Sequence, residues 1–409
     1  MKNKKLIFQL KKTIVFTAFL FPLAVTAQIA IKADSVITVT STMIRNGVVL
    51  VKDGKIEAVG SADQVKIPDG YKLYNAKVVT PGLVDARTLV GMSGVLNIPV
   101  DQDQLEKSSP IQPELRAIDA YNPDEPLVKT VREYGVTTIH TGHGIGALVS
   151  GQTLIAKTKP GTVDEVTVVP FSMLAMTIGP SVSGNFSSPG TKAKQLSMIR
   201  AELMKAQDYL KKSNDKDTSK RPAYDMKMDA LSKLLKGEIK ALITANPAVD
   251  IMNAIRLSKE FNFKLVLDGA AESYRLINEI KTAKAEIVLH ATMARNDGDM
   301  INMSRATAAT LTAAGIPVSI ESGYEGYVPK TRIILMEAAV AMANGLTFED
   351  AIKTITINPA KLLGVDSRVG SIEKGKDADL VLYNGDPFEY TSNVCVVIID
   401  GNVVSERCN

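Results

Sequence analysis

Three histidines follow short apolar runs, and residues of this type could hold a metal ion. They are His140, His143 and His290, and the sequence has no other histidine. Neutral imidazole suits zinc, and three nitrogen or oxygen ligands plus a water molecule are the usual arrangement of a catalytic zinc site. One hypothesis is therefore a divalent metal, zinc in particular, held by the three histidines and a carboxylate. The alternative is that His140 and His143 are hydrogen-bonded loop residues and that His290 caps a strand.

The middle of the chain contains the strands that would position these histidines. Apolar strand-like runs alternate there with helical segments, which is typical of β/α units and a parallel sheet. The histidines directly follow such runs, and active sites of barrels lie at the carboxyl ends of the strands. Eight candidate strands can be counted, the number that a closed barrel requires, at residues 78–84, 136–139, 153–156, 166–169, 241–244, 264–267, 286–289 and 317–320.

Helix signals separate these runs. Asn122-Pro123 predicts the start of a helix that stops at Gly135, and Thr347 followed by Asp350 predicts a capped helix start. The Lys-rich segment 191–240 predicts two amphipathic helices joined by a polar loop at 213–221. We expect this segment to be a solvated insertion rather than a binding patch.

Both chain ends are rich in short strands and turns, which predicts one small β-domain built from the two ends. We expect the composite β-sandwich domain to comprise residues 28–79 and 366–409, and the barrel to comprise 80–365. The last strands read as a hairpin with an Asp400-Gly401 turn. This hairpin would bring Cys395 close to Cys408, and either a disulfide or two free thiols is compatible with the sequence.

Residues 1–27 have the pattern of a secretory signal peptide. Five lysines precede an apolar run of twelve residues, and Val25-Thr26-Ala27 is a small-residue cleavage site. We therefore expect cleavage after Ala27 and a periplasmic or secreted protein; the alternative is an uncleaved N-terminal anchor. This segment has no acidic residue, so the net charge of +4 becomes −1 for residues 28–409. The basic balance gives no support to nucleic-acid binding.

Four motifs, in order, resemble the amidohydrolase superfamily, closest to its imidazolonepropionase-like and peptidase-like branch. They are VKDGKIEAVG at 51–60, VTPGLVD at 79–85, NPAKLLG at 358–364 and GSIEKGKDADL at 370–380. The resemblance implies an α/β protein with a (β/α)₈ TIM-like barrel and a small β-sandwich domain. It also implies one or two divalent metals and hydrolysis of C–N bonds in cyclic amides, dipeptides or acylated amino acids. Lys157 could match the bridging lysine of the family.

The metal ligands of the first barrel strand are missing. The family has His-x-His there, and side chains two apart on a strand share a face, so both imidazoles can reach one metal. In this chain Arg87 and Leu89 occupy the two positions. A guanidinium stays protonated and leucine has no donor atom, so neither can be a ligand. The metal site cannot exist there in its usual form.

The later ligand positions are changed as well. The histidine of strand five corresponds to Asn246, and the histidine of strand six falls near Asp268. The aspartate of strand eight corresponds to Glu321 or Ser322, of which only Glu321 keeps the acid. We take Glu321, Asp268 and Arg87 as candidate catalytic residues, Lys157 as a cofactor-binding candidate, and the three histidines as candidates for a relocated metal.

Arg87 has two interpretations. Its guanidinium could hold a carboxylate or phosphate of a ligand through two hydrogen bonds, with Lys157 adding to the preference for anions. It could instead form a salt bridge to Asp268 or Glu321 in the space of the lost metal, because acids without their cation would be left uncompensated.

The sequence thus predicts an exported amidohydrolase-type hydrolase of C–N bonds in a small substrate, with an altered metal site. The alternative is a catalytically inactive barrel that binds a small, possibly anionic ligand, because a fold does not determine its function. The expected partner is a small molecule. We expect no nucleic acid, no stable membrane insertion after signal cleavage, and a possible homodimer.

Overall fold

The computed structural model describes residues 28–96, 98–325 and 330–408. The export signal predicted at 1–27 lies outside the described residues. Two β-sheets organise the chain, one built from both chain ends and one from its middle. Among the helices of the described residues, none is long and apolar enough to cross a membrane.

The sheet from the chain ends has seven strands. Four come from the N-terminal part and three from the C-terminal part: β1 (Ile29–Val36), β2 (Ile44–Lys52), β3 (Lys55–Ser61), β4 (Lys72–Pro81), β14 (Leu380–Tyr383), β15 (Val394–Ile399) and β16 (Asn402–Glu406). Their order is β16-β15-β14-β4-β1-β2-β3, and only β1 and β4 pair in parallel. Apolar side chains of both origins share one buried cluster, so the two chain ends form a single core.

The second sheet forms a nearly closed barrel. Its strands are β5 (Leu83–Thr88), β6 (Val136–Gly142), β7 (Val149–Lys157), β9 (Met173–Thr177), β10 (Lys240–Ala245), β11 (Leu265–Gly269), β12 (Glu286–Leu289) and β13 (Val318–Ile320). They are neighbours in that order. A bridge between Thr88 and Gly323 brings the end of β13 next to β5. The predicted α/β fold, with an eight-stranded barrel and a separate sheet from both ends, is confirmed.

Three details of the predicted barrel were wrong. The predicted first strand 78–84 combines the end of β4, which belongs to the other sheet, with the start of β5. The fourth barrel strand is β9, whereas the predicted run 166–169 forms the end of a helix and a short strand β8 (Thr167–Val169), which pairs with β7 outside the barrel path. The strand β7 runs antiparallel to its neighbours β6 and β9, although the sequence suggested a parallel sheet throughout. Residues that end β7 therefore lie at the opposite end of the barrel from those that end the parallel strands.

The helices cover the barrel. They are α1 (Pro126–Glu133), α2 (Val163–Val166), α3 (Pro180–Asn185), α4 (Lys192–Ser213), α5 (Met226–Leu235), α6 (Ala248–Phe261), α7 (Ile277–Ala283), α8 (Thr307–Ala313), α9 (Ile334–Ala343), α10 (Phe348–Thr354) and α11 (Ile357–Leu362). The predicted helix pair of the Lys-rich segment is confirmed by α4 and α5. The predicted cap is also present, because the Thr347 side chain accepts a hydrogen bond from the Asp350 backbone N–H.

The C-terminal hairpin forms as predicted. The strands β15 and β16 pair on either side of Asp400 and Gly401. Cys395 and Cys408 are joined by a disulfide, which resolves the two possibilities left open by the sequence.

Candidate functional site

Three charged residues that the sequence singled out lie together at the mouth of the barrel. Arg87 lies near the end of β5, Asp268 near the end of β11, and Glu321 directly after β13. Their exposed fractions are only 4%, 1% and 7%. The backbone joins these strand ends, because the N–H of Gly323 donates to the Arg87 carbonyl at 3.3 Å and the N–H of Glu321 donates to the Leu289 carbonyl at 3.1 Å.

Asp268 and Glu321 are neighbouring buried carboxyl groups. Burial raises the pKa of Glu321 well above its usual value, and the neighbouring Asp268 raises it further. Glu321 therefore keeps its proton to a higher pH than an exposed glutamate does. The hydroxyl of Thr244, on the neighbouring strand β10, donates to Asp268 Oδ2 at 2.5 Å. The two carboxyls thus lie in a site protected from bulk water, and the pKa of one of them, Glu321, is raised.

Arg87 contributes a positive charge beside this pair. Burial lowers the pKa of its guanidinium, while the charges of Asp268, Glu321 and Asp85 raise it. Nη2 donates to the backbone carbonyl of His143. Within the described residues Nη1 has no hydrogen-bond partner, and no ion pair joins Arg87 directly to Asp268 or Glu321. Arg87 acts on the carboxyls through its charge rather than through the direct salt bridge that the sequence suggested.

Asp85 belongs to the same cluster, and sequence reasoning missed it. Its Oδ1 accepts hydrogen bonds from the backbone N–H of Arg87 at 3.2 Å and of Ser322 at 3.1 Å. Burial raises the pKa of Asp85 to about 6, against the opposing effects of the hydrogen bonds from Ser322 and of Arg87. Asp85 therefore connects β5 with the segment that carries Glu321. Its position two residues before Arg87 was the available signal, since such residues share a face of a strand.

His140 has no free nitrogen in this structure. Its Nδ1 lies 2.8 Å from the Ala86 carbonyl, and its Nε2 lies 2.7 Å from Thr153 Oγ1. Burial lowers the pKa of His140 to about 3, assisted by the charge of Arg87, so the ring is neutral. Because a carbonyl only accepts, Nδ1 carries the proton and Nε2 accepts from the Thr153 hydroxyl. This is the hydrogen-bonded histidine of the alternative interpretation.

His143 and His290 keep nitrogens without partners. Both ring nitrogens of His143 and Nε2 of His290 are buried and have no hydrogen-bond partner among the described residues. Burial and the charge of Arg87 lower the pKa of His143 to about 4. In His290, Nδ1 lies 2.8 Å from the Ala291 carbonyl and must donate to it, which leaves Nε2 as an acceptor. These nitrogens are available to a ligand that enters the mouth.

The residues present do not fit the three-histidine zinc site considered from the sequence. Both nitrogens of His140 are already bonded, as shown above. Across residues 28–96, 98–325 and 330–408, no group of three or more His, Cys, Asp or Glu side chains could hold a metal ion. In the strand-five position, Asn246 donates to Asp299 Oδ2 at 3.3 Å. The chemically competent groups of the site are therefore its carboxyls, its guanidinium and its neutral imidazoles.

Lys157 is not at the mouth, so its expected role as a cofactor-binding residue is corrected. It ends the antiparallel strand β7, which directs it toward the opposite end of the barrel. There its buried Nζ lies 3.2 Å from Asp377, 2.5 Å from Asp379 and 3.3 Å from Asp400. Lys157 joins the barrel to the sheet of the chain ends, and it cannot add to anion binding beside Arg87.

The fold and the family comparison agree. Residues 78–404 match the amidohydrolase family, so the chain belongs to that family. The crystal structure of an amidohydrolase from Thermotoga maritima MSB8 is similar to this chain, with a TM-score of 0.87 and 30% sequence identity; the match covers 93% of this chain and 100% of that one.

Two curated relatives show the breadth of the match. An imidazolonepropionase of Fusobacterium nucleatum is 23% identical over 367 residues, which cover 84% of this chain and 86% of that protein. The amidohydrolase tasK of Hapsidospora irregularis is 25% identical over 394 residues, or 87% of this chain. The match covers only 39% of tasK, a much longer protein. The resemblance to the imidazolonepropionase-like branch is confirmed.

Proposed function

We propose that this protein hydrolyses a C–N bond in a small amide or dipeptide-like substrate, using the Asp268–Glu321 pair as its acid and base. The position of these two buried carboxyls at strand ends of the barrel mouth carries the proposal, together with the raised pKa of Glu321. Glu321, which keeps its proton, is the proposed acid, and Asp268 is the proposed base. Membership in the amidohydrolase family and the similarity to an imidazolonepropionase support the bond type.

The proposed reaction needs only water as its second reactant. The carboxylate removes a proton from water while the water oxygen bonds to the substrate carbonyl carbon, and the neutral carboxyl donates its proton to the carbonyl oxygen. The C–N bond then breaks as the carbonyl re-forms and returns that proton, and the leaving nitrogen takes the proton that the base received. The guanidinium of Arg87 stabilises negative charge that develops nearby.

Burial restricts the substrate. Asp268 and Glu321 are almost inaccessible in this arrangement. A substrate can reach the pair only after a local rearrangement at the mouth, which favours a small molecule. Exclusion of bulk water then strengthens the electrostatic interactions at the pair.

The test is hydrolysis of a panel of N-acyl amino acids, dipeptides and cyclic amides. We expect Glu321→Gln and Asp268→Asn to lower kcat by at least about 100-fold, because each removes one half of the acid–base pair. The matched control is Glu337→Gln, since Glu337 is also buried with a raised pKa but is not in the pair. The apparent pKa at which the rate falls on the alkaline side of the pH–rate profile should lie well above the usual pKa of a glutamate, because Glu321 must stay protonated.

The unpartnered nitrogens of Arg87 and His143 favour a second function, which is ligand binding without hydrolysis. Nη1 of Arg87 and the ring nitrogens of His143 would gain hydrogen bonds from a bound ligand. A barrel that binds such a ligand without hydrolysis would show thermal stabilisation by compounds of the same panel and no turnover. That result would favour the binding function over hydrolysis.

We also propose that the protein is exported. The signal-like pattern of residues 1–27 supports this, and so does the Cys395–Cys408 disulfide, since such bonds persist in oxidising compartments. Mass spectrometry of the protein recovered from the periplasm or medium of its host should show a chain that begins at Gln28. An intact N-terminus on membrane-bound protein would instead indicate the uncleaved anchor.

A further inference from the structure

Arg87 places one fixed positive charge among three buried carboxyl groups. Arg87, Asp85, Asp268 and Glu321 are all buried at the mouth, and Oδ1 of Asp85 accepts hydrogen bonds from the backbone N–H of Arg87 at 3.2 Å and of Ser322 at 3.1 Å. The charges of the three acids raise the pKa of the guanidinium against the effect of burial. The three acids come from β5, β11 and the segment after β13, which are the strand ends that meet at the mouth. A guanidinium stays protonated in proteins. The cluster therefore contains a permanent cation that belongs to the chain.

The cluster would be unfavourable without that cation. Buried carboxylates are expensive unless a nearby positive charge or hydrogen bond compensates them. In metal sites the bound ion is the largest local charge and supplies this compensation. Here the donor set of the described residues does not fit a metal, whereas the guanidinium of Arg87 is buried at the same strand ends as the three acids.

We propose that the guanidinium of Arg87 takes the electrostatic place of a metal ion in this amidohydrolase barrel. This role does not depend on whether the barrel hydrolyses a substrate. A divalent ion that approached the wild-type cluster would meet a fixed positive charge. Removal of the guanidinium would leave the three carboxyls without this charge, and a small cation that reaches them would compensate part of the loss.

The experiment compares wild-type protein with Arg87→Ala by thermal unfolding, with zinc chloride, guanidinium chloride or sodium chloride at equal, low ionic strength. We expect Arg87→Ala to unfold roughly 5 to 10 °C below the wild type, because it leaves buried acids uncompensated. Zinc or guanidinium should recover at least half of this loss in Arg87→Ala, and sodium should recover none. The wild-type Tm should respond to none of the three salts.

Two further variants separate lost charge from lost packing. Arg87→Lys keeps the charge and should lose less stability than Arg87→Ala, with no response to zinc. Arg132→Ala removes another buried arginine, whose Nη1 donates to the Thr158 carbonyl rather than serving a carboxyl cluster. It should be destabilised without recovery by zinc.

Two results would overturn this role for Arg87. One is a wild-type protein whose Tm rises with zinc and falls with a chelator, since its site would then hold a metal beside the guanidinium. The other is an Arg87→Ala protein that responds to zinc and guanidinium no more than Arg132→Ala does. If Arg87→Ala does not fold, a zinc-dependent Tm of the Arg87→Lys protein would likewise overturn this role for Arg87.

Discussion

At the scale of single residues, hydrogen bonding separates the three histidines that the sequence treated alike. Both ring nitrogens of His140 are hydrogen-bonded, to the Ala86 carbonyl and the Thr153 hydroxyl. Among the described residues, His143 has two ring nitrogens without a partner and His290 has one. All three follow apolar runs, so the sequence could not distinguish them. Partners such as the Ala86 carbonyl are backbone atoms, and no residue pattern identifies them in advance.

Asp85 gives a pH prediction. Burial raises its pKa to about 6, so the folded state holds this proton more tightly than the unfolded chain does. The resulting stabilisation is complete below the usual pKa of an aspartate and is lost as pH rises through about 6. Relative to Asp85→Asn, which keeps the acceptor oxygen, the wild type should lose about 3 kcal/mol of unfolding free energy across this window.

Urea unfolding at a series of pH values measures this difference. Because the comparison is between two variants, the contributions of the histidines cancel. A difference that does not change with pH would show that the pKa of Asp85 is the same in the folded and the unfolded chain, so that burial does not raise it.

At the scale of elements, the sequence predicted most of the barrel but not the direction of one strand. β-branched residues and turn signals revealed β6, β10, β11, β12 and β13. The strand β9, Met-Leu-Ala-Met-Thr, consists largely of residues that also favour helices, so its strand identity comes from burial between β7 and β10. The Val-rich segment 166–169 looked more like a strand than β9 did, and it pairs only at the outer side of β7.

The direction of β7 decides the role of Lys157, which leads to a stability prediction. Asp379 is buried, and Lys157 is the cation with which it pairs. Asp377 also pairs with Lys55 and Arg368. Lys157→Met should therefore cost about 3–5 kcal/mol of unfolding free energy, mainly because Asp379 loses its partner in the interior.

Lys159→Met is the matched control on the same cluster. Lys159 is 29% exposed and pairs with Asp400, which also lies beside Lys157. Its loss should cost less than about 1 kcal/mol. Equal effects of the two variants in chemical denaturation would contradict a special role for the buried lysine.

At the scale of the whole molecule, the fold belongs to the amidohydrolase family. The residues at the mouth of the barrel, however, differ from the metal ligands that the family resemblance implied. The motif at 51–60 lies in the β2–β3 hairpin of the sheet from the chain ends, and the motifs at 79–85, 358–364 and 370–380 lie where the chain passes between the two sheets, so together they specified both sheets and their connection. The site depended on contacts between strands distant in sequence, such as Asp268 with Glu321. Sequence reasoning could nominate both residues, but it could not show that both are buried or that burial raises the pKa of Glu321.

The most direct test of the central claim is the rate of C–N bond hydrolysis before and after removal of metals with a chelator, for the best substrate of the panel. If the Asp268–Glu321 pair supplies the acid and the base, the chelated wild type should keep its full rate and Glu321→Gln should lose it. A rate that disappears with the chelator and returns with stoichiometric zinc would contradict this account.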